Sequence, residues 1–245
     1  MCAKSHVGRY DAAGRSGGTG RRGGLKLRCP QGRQGSNPCS GTSRRGTVDL
    51  YRSKNAIANG LDPVVSRLEG LGVSPDAVTL AAIPIGGLAG VLLLLSPTVP
   101  VALLAVPFLA ALRLVVNLLD GALARRTGRI HPRGELYNEL GDRLTDIAFL
   151  APVAVLPGAD RTTVLLGVAG AIFASFAGVV PRAAGGERIY RGILSKPGRM
   201  ILLAAFAVAV FIVGPTAWGP FGPLLLVGTI LTAVERVVVG IRRLA

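Results

Sequence analysis

The sequence predicts an all-α integral membrane protein, in which six transmembrane helices form a compact bundle and an interfacial amphipathic helix precedes them. Half of the 245 residues are hydrophobic, although the formal net charge is +15. Six apolar stretches each approach the roughly 20 residues that a helix needs to cross a bilayer. Several are separated only by short, turn-forming segments, namely "SPTVP", "PGAD" and "GPTAWGPFGP". Short connections between apolar helices are typical of a compact bundle.

The first 47 residues form a basic tail that we expect to be disordered. The tail contains ten Lys or Arg but only one acid, Asp11, and it is rich in Gly and Ser. Such a composition offers too little apolar surface to offset the entropy lost on ordering. An arm that binds nucleic acid or anionic lipid is one interpretation. We favour an extension before a natural start near Val48, and we expect no nucleic-acid partner. The tail lacks the apolar core of a signal peptide.

Residues 48–76 are predicted to form the amphipathic helix at the membrane interface. Apolar Ile57, Leu61, Val64, Val65 and Leu68 alternate there with charged residues, as in helices that lie on a bilayer surface. Pro75 follows, at a position that suits the first turn of the next helix. The membrane domain then extends over 77–245, with spans near 77–95, 99–119, 136–156, 162–181, 200–217 and 221–240.

Basic residues indicate which way the spans run, because Lys and Arg concentrate in cytoplasmic loops. One set of loops and span ends is strongly basic, while the opposite set carries only Arg161. We therefore expect a multi-pass protein of the cell (inner) membrane, with the ends of spans two and three facing the cytoplasm. The basic set is Arg125, Arg126, Arg129, Arg133, Arg182, Arg188, Arg191, Lys196, Arg199, Arg242 and Arg243.

A polar segment, "NLLDGALARRTGRIHPRGELYNELGDRLTD", interrupts the apolar pattern between residues 117 and 146. At about 100° per residue, one face of span two carries Arg113, Asn117, Asp120 and Ala124, and one face of span three carries Gly134, Asn138, Asp142 and Asp146. Ionisable groups inside a membrane are costly and usually mark a functional site. Carboxylates that crowd together repel one another unless a cation lies between them, so the pattern predicts a divalent ion with oxygen ligands.

The spacing Asp120-Gly121-x2-Ala124-Arg125-x8-Gly134-x3-Asn138-x3-Asp142 resembles the signature of the CDP-alcohol phosphatidyltransferase superfamily, D-x2-D-G-x2-A-R-x8-G-x3-D-x3-D. The resemblance covers about residues 64–240 and places the motif at the junction of spans two and three. It implies transfer of a phosphatidyl group from a CDP-alcohol, such as CDP-diacylglycerol, to an acceptor hydroxyl, with release of CMP, in phospholipid biosynthesis.

The resemblance also implies roles for individual residues. Asp142 occupies the position of the general base, and Mg2+ or Mn2+ is expected as cofactor. Gly121 and Ala124 are small and let the nucleotide approach span two, and Gly134 permits close packing of the helices. Arg125 is suited to donate hydrogen bonds to phosphate oxygens. The predicted metal ligands are Asn117, Asp120, Asn138, Asp142 and Asp146; the predicted substrate-binding residues are Gly121, Ala124, Arg125, Gly134, Lys196 and Arg199. For Lys196 and Arg199, an anion pocket and an anchor to anionic lipids both remain open.

Asn117 and Asn138 stand where the family signature has Asp. An amide keeps an oxygen for a metal but carries no charge. Three explanations remain: a single metal, recruitment of Asp146, or a degenerate, inactive member. We favour an active variant, because the change is similar to that of a bacterial sub-group with N-x-L-D-G and N-E-x-G-D. A transporter or lipid-binding bundle is the non-enzymatic alternative. We expect the acceptor to be a hydroxyl compound, either phosphorylated or unphosphorylated. The sequence leaves the formation of a homodimer open as well.

Overall fold

The computed structural model describes residues 50–128 and 132–244, with side-chain detail for 60–128 and 133–244. The predicted tail, 1–47, lies outside this range. The described residues fold into seven α-helices and three short 3-10 turns, with no β-strand among them. The helices are α1 Leu50–Gly70, α2 Pro75–Leu95, α3 Ala105–Thr127, α4 Pro132–Leu150, α5 Arg161–Ala183, α6 Lys196–Val213 and α7 Phe221–Leu244; the turns are Pro100–Leu104, Ala151–Val155 and Pro215–Trp218.

Five helical segments of the described chain are long and apolar enough to cross a membrane. They are Pro75–Leu95, Pro100–Thr127, Arg161–Ala183, Lys196–Val213 and Pro215–Leu244. The sixth predicted span, 136–156, corresponds to α4 and the turn after it. Helix α4 lacks the required apolar composition, because it carries both acids and arginines along its length. An all-helical membrane protein is confirmed, whereas the sixth span stays a prediction.

Glycines bring α2 into close contact with α4. A Cβ atom on Gly90 would lie 2.6 Å from the carbonyl oxygen of Ala148, and one on Gly86 would lie 2.9 Å from Thr145 Cγ2. Small residues allow membrane helices to approach until their backbones nearly touch. Helix α2 therefore supports the helix that carries Asn138, Asp142 and Asp146.

Helices α5 and α7 pack together in the same way. A Cβ atom on Gly167 would meet Leu225, and one on Gly170 would lie 2.4 Å from Thr229 Oγ1. Between these pairs and the other helices lies one large apolar core. Its members include Leu93, Val106, Phe149, Leu150, Val164, Leu203, Trp218, Phe221 and Leu225, all nearly or fully buried.

The predicted amphipathic segment does form a helix, α1, but its apolar side chains pack mainly against α3. Val65 is buried with Leu119 and Leu123, whereas Val64 is exposed. The position of α1 at a membrane interface stays a prediction. The predicted start of the next helix is confirmed: Pro75 lies in the first turn of α2, and the Ser74 hydroxyl caps it by accepting a hydrogen bond from the Ala77 N–H at 3.2 Å.

Candidate active site

The polar faces of α3 and α4 meet inside the bundle. Arg113 is fully buried on α3, and its Nη2 donates to Asp142 Oδ1 of α4 at 2.7 Å. Asp142 is itself only 4% exposed. A buried charge is tolerated when an opposite charge and hydrogen bonds compensate it. The convergence of these two faces, predicted from helical spacing, is confirmed.

Asp120 is held in place by its own backbone and by α2. Its Oδ1 accepts from the Gly121 N–H at 2.5 Å, and its Oδ2 lies 3.0 Å from the Thr79 hydroxyl. The carboxylate is also close enough to Asp142 and Lys196 to interact with both electrostatically. The structure thus places the two carboxylates of the motif in one region, as the sequence indicated.

Lys196 reaches the same region from the first residue of α6. Its Nζ lies 3.0 Å from Asn117 Oδ1 and forms an ion pair with Asp142. The two oxygens of Asp142 are therefore shared between two cations, Oδ1 with Arg113 and Oδ2 with Lys196. Lys196 was predicted to bind an anionic substrate group, and the structure adds these two direct contacts to the motif.

Asp146 lies one turn beyond Asp142 and pairs with Arg199. The distance from Arg199 Nη2 to Asp146 Oδ2 is 2.6 Å, and both side chains are almost completely buried. Arg199 also donates to the Leu194 carbonyl at 3.0 Å and lies 3.4 Å from Ser175 Oγ. This pair connects α4 to α5 and α6. A metal role for Asp146 and a substrate role for Arg199 both stay predictions.

The other predicted residues differ in their exposure. Arg125 is exposed and makes no ion pair with the described residues, so its guanidinium is available to an anion. Its Nη1 would lie 3.3 Å from a Cβ on Gly121, and both Ala124 and Gly134 are partly buried. Asn138 Oδ1 is a buried oxygen without a hydrogen-bond partner among the described residues. The roles assigned to these residues stay predictions.

A second charged cluster, which the sequence reasoning missed, surrounds Glu139. Glu139 pairs with Arg143 on its own helix and with Arg188 from the loop after α5. Arg236 of α7 lies close enough to Arg143, Arg188 and Arg199 for their charges to interact. It is 7% exposed and donates to the carbonyls of Arg191 and Ala174. The i,i+4 spacing of Glu139 and Arg143 could have indicated their pair, but no local signal announced the burial of Arg236.

The donors in this region are oxygen atoms, which a hard divalent cation prefers. Within the described ranges, no group of three or more His, Cys, Asp or Glu side chains could hold a metal ion. Oxygen donors are nevertheless present: the Asp120 carboxylate, the unpartnered Asn138 Oδ1, and Asn117 and Asp142 beside Lys196. Carboxylate and amide oxygens are the ligands that Mg2+ and similar ions take. The residues therefore include the type of oxygen donor that such an ion needs.

No family model matches the chain. Individual proteins that are similar to it nevertheless agree with the family that the motif indicates. The inner membrane protein YnbA of Escherichia coli is 32% identical over 165 residues, which cover 67% of this chain and 82% of that protein. An archaetidylinositol phosphate synthase of Aeropyrum pernix is 28% identical over 151 residues, covering 60% of this chain and 74% of that enzyme.

The fold is also that of a solved enzyme, the phosphatidylinositol phosphate synthase of Mycobacterium tuberculosis. Its complex with manganese and citrate superposes with a TM-score of 0.61 at 22% identity, covering 73% of this chain and 87% of that one. Its form with CDP-DAG bound gives a TM-score of 0.57 at 22% identity, covering 79% and 94%. From the motif, the converging helix faces and these relatives together, the chain belongs to the CDP-alcohol phosphatidyltransferase superfamily and is an enzyme of phospholipid synthesis.

Proposed function

We propose that this protein transfers a phosphatidyl group from a CDP-alcohol such as CDP-diacylglycerol to an acceptor hydroxyl and releases CMP. The observation that supports this most directly is the proximity of Asp120 and Asp142, from the two halves of the motif, which interact electrostatically with each other and with Lys196. The solved relative with CDP-DAG bound supports the choice of donor. The oxygen of the acceptor forms the new bond to phosphorus, and the bond from that phosphorus to the CMP oxygen breaks.

The donor is expected to lie against α3, with Gly121 and Ala124 beside the nucleotide and Arg125 on its phosphate oxygens. Arg125 suits this role because it is exposed and has no acidic partner among the described residues. A guanidinium can donate two parallel hydrogen bonds to a phosphate. Mg2+ or Mn2+, held by Asp120 and Asn138 with Asn117 and Asp142 nearby, would neutralise charge on the pyrophosphate when bound. The solved relative in complex with manganese supports this cofactor.

Asp142 is the proposed general base. Its carboxylate would take the proton of the acceptor hydroxyl as that oxygen attacks phosphorus. Arg113 holds Oδ1 at 2.7 Å and thereby fixes the orientation of the group. Lys196 on Oδ2 stabilises the ionised form of the carboxylate, which is the form that accepts the proton. Arg113 and Lys196 act here as positioning residues.

The acceptor is proposed to carry a phosphate group of its own. Arg143, Arg188 and Arg236 gather beside the motif; Glu139 pairs with the first two, and Glu235 interacts with the third. Three arginines against two carboxylates leave positive charge that an anionic acceptor can use. The archaeal relative is named for an inositol phosphate lipid, which agrees with a phosphorylated acceptor. Membrane lipids on the apolar surface and a homodimer stay predictions.

We further propose six spans with the active site at the cytoplasmic surface. Arg182 at the end of α5 pairs with Glu135 in the first turn of α4, so these two ends lie at one level. Helix α4 and the turn Ala151–Val155 therefore cover the same depth of the membrane as α5, and they run antiparallel to it. The Lys and Arg residues near this level far outnumber those near Arg161, which supports a cytoplasmic location.

The reaction can be tested with the full chain, purified in detergent. CDP-diacylglycerol and Mg2+ or Mn2+ would be mixed with glycerol 3-phosphate, an inositol phosphate, serine, inositol or choline, and CMP release would be measured. We expect CMP with a phosphorylated acceptor and none after chelation of the metal. Folded protein that releases no CMP with any acceptor would refute the proposal, and release only with unphosphorylated acceptors would refute the acceptor assignment.

Two adjacent arginines provide a matched pair of variants for the donor site. Arg126 is bound to Glu69 at 2.8 Å and lies 3.6 Å from Asp62, whereas Arg125 makes no ion pair with described residues. Arg125→Ala is expected to raise the KM for CDP-diacylglycerol at least about tenfold, as loss of a charged hydrogen bond does. Arg126→Ala should leave that KM nearly unchanged. Equal effects of the two changes would remove Arg125 from the donor site.

A further inference from the structure

Lys196 occupies the space that joins the two halves of the motif. Its Nζ contacts Asn117 Oδ1 on α3 at 3.0 Å and pairs with Asp142 on α4. The side chain is 18% exposed, so this ammonium is largely screened from water. It bridges two ligand-type side chains from neighbouring helices, which is the arrangement that a metal ion adopts between oxygen ligands.

The charges of this region balance before any ion binds. The four aligned motif positions provide two carboxylates, Asp120 and Asp142, and two neutral amides. Arg113 and Lys196 provide two positive charges in direct contact with the amide and acid side chains. Arg199 adds no excess charge, because it is paired with Asp146.

We propose that the Lys196 ammonium is a built-in cation of this site, so that the chain binds one divalent ion where four carboxylates would hold two. This inference rests on the proposed function, since it concerns the metal requirement of that reaction. The charge of Lys196 then compensates for the ion that is lost when amides, Asn117 and Asn138, replace the two acids of the signature. An Asp at 117 beside Asp142 would demand a divalent charge, whereas an amide beside Asp142 is satisfied by a single ammonium.

The geometry of Asp142 explains why a second ion is disfavoured. Arg113 and Lys196 already contact its two oxygens, so a divalent ion bound there would approach both cations at close range. Like charges at such distances repel strongly when little water separates them. The Asp120 carboxylate and Asn138 Oδ1, which has no hydrogen-bond partner among the described residues, are the motif donors that remain for one ion.

The test is a count of bound Mn2+. The detergent-purified full chain would be stripped with chelator and titrated with Mn2+, and the free ion would be followed by its electron paramagnetic resonance signal. We expect one Mn2+ per chain for the unchanged protein. We expect two for Asn117→Asp/Asn138→Asp/Lys196→Met, which restores both acids and removes the ammonium. Two ions, or none, on the unchanged protein would overturn the proposal, as would a single ion on the triple variant.

Single substitutions keep the proposal falsifiable if the triple variant does not fold. Lys196→Met should tighten Mn2+ binding by about tenfold, because the competing charge is removed. Lys196→Arg should leave the affinity close to that of the unchanged protein. Arg191→Met is the matched control, since Arg191 is a neighbouring cation with 67% side-chain exposure. An unchanged affinity in Lys196→Met would refute the role of Lys196. CMP release, measured separately, tells a failure of this inference from a failure of the proposed reaction.

Discussion

Buried side chains lie near both ends of helix α6, but they are held by different interactions. At its start, Lys196 and Arg199 form ion pairs with Asp142 and Asp146. Beyond its end, Trp218 packs edge-on against Phe221, with the ring centroids 5.4 Å apart and the planes at 84°. Phe206 completes this cluster, with its centroid 5.4 Å from that of Phe221.

The comparison predicts that the apolar end contributes stability and that the polar end contributes chemistry. Aromatic and aliphatic side chains contribute through dispersion and close packing, which depend on volume and tolerate similar shapes. A buried ion pair depends on both partners, because removal of one leaves an uncompensated charge. We therefore expect substitutions at the polar end to change activity or to cost more than their size suggests. Those at the apolar end should change stability alone.

The largest effect is expected for Asp142→Asn. Loss of a general base typically lowers the rate by about 10²–10⁴-fold, so CMP release per folded molecule should fall by that factor. Asn117→Asp should keep activity, because the family signature has Asp at this position. Asp62→Asn, at an exposed acid on α1, is the control and should have no effect. Full activity in Asp142→Asn would show that the base is another group.

Arg199→Met should destabilise the protein by about 3–5 kcal/mol, the usual cost of breaking a buried ion pair. The change leaves the Asp146 carboxylate, 2% exposed, without its partner. Thermal unfolding in detergent would measure it. Arg243→Met breaks an exposed pair with Glu187 and should cost at most about 1 kcal/mol. Similar losses for both variants would contradict the contrast between buried and exposed pairs.

Trp218→Ala tests the apolar end. Removing a fully buried indole leaves a cavity and should cost about 3–5 kcal/mol in stability. Trp218 is 1% exposed and lies beyond the end of α6, whereas the motif contacts the start of that helix. Activity per folded molecule, measured below the unfolding temperature, should therefore stay near that of the unchanged protein. A large fall in specific activity without a loss of stability would show that the two regions are functionally coupled, which would contradict this prediction.

The smallest effect is expected from the helix contact that supports α4. Gly90→Ala would place a methyl group 2.6 Å from the Ala148 carbonyl oxygen, so α2 and α4 must separate slightly. Overpacking of this kind costs about 1–3 kcal/mol. Gly87→Ala is the control. A methyl group on Gly87, three residues before Gly90, meets no atom within 4 Å, so this change should be neutral or stabilising. Unfolding midpoints of the two variants would show whether the close approach matters.

The sequence alone determined most of the helices and the faces of α3 and α4. Apolar length predicts spans because a bilayer has a defined thickness, and helical spacing predicted that Arg113, Asn117 and Asp120 share a face. The pair of Arg113 and Asp142, 29 residues apart, follows from two adjacent helices with matching faces. Helix α4 was harder to assign, because its acids and arginines weaken the apolar signal of a span.

Only the tertiary structure decided which remote residues complete the region. Lys196 lies 79 residues from Asn117, and Arg199 lies 53 residues from Asp146. In the sequence, Lys196, Arg199, Arg188 and Arg236 are indistinguishable from cytoplasmic anchors. Their partners depend on how α6 packs against α3 and α4 and how α7 packs against α5, and that packing is set by the shapes of many side chains together. Local periodicity reports which face a residue occupies, but it contains no information about the helix that will cover that face.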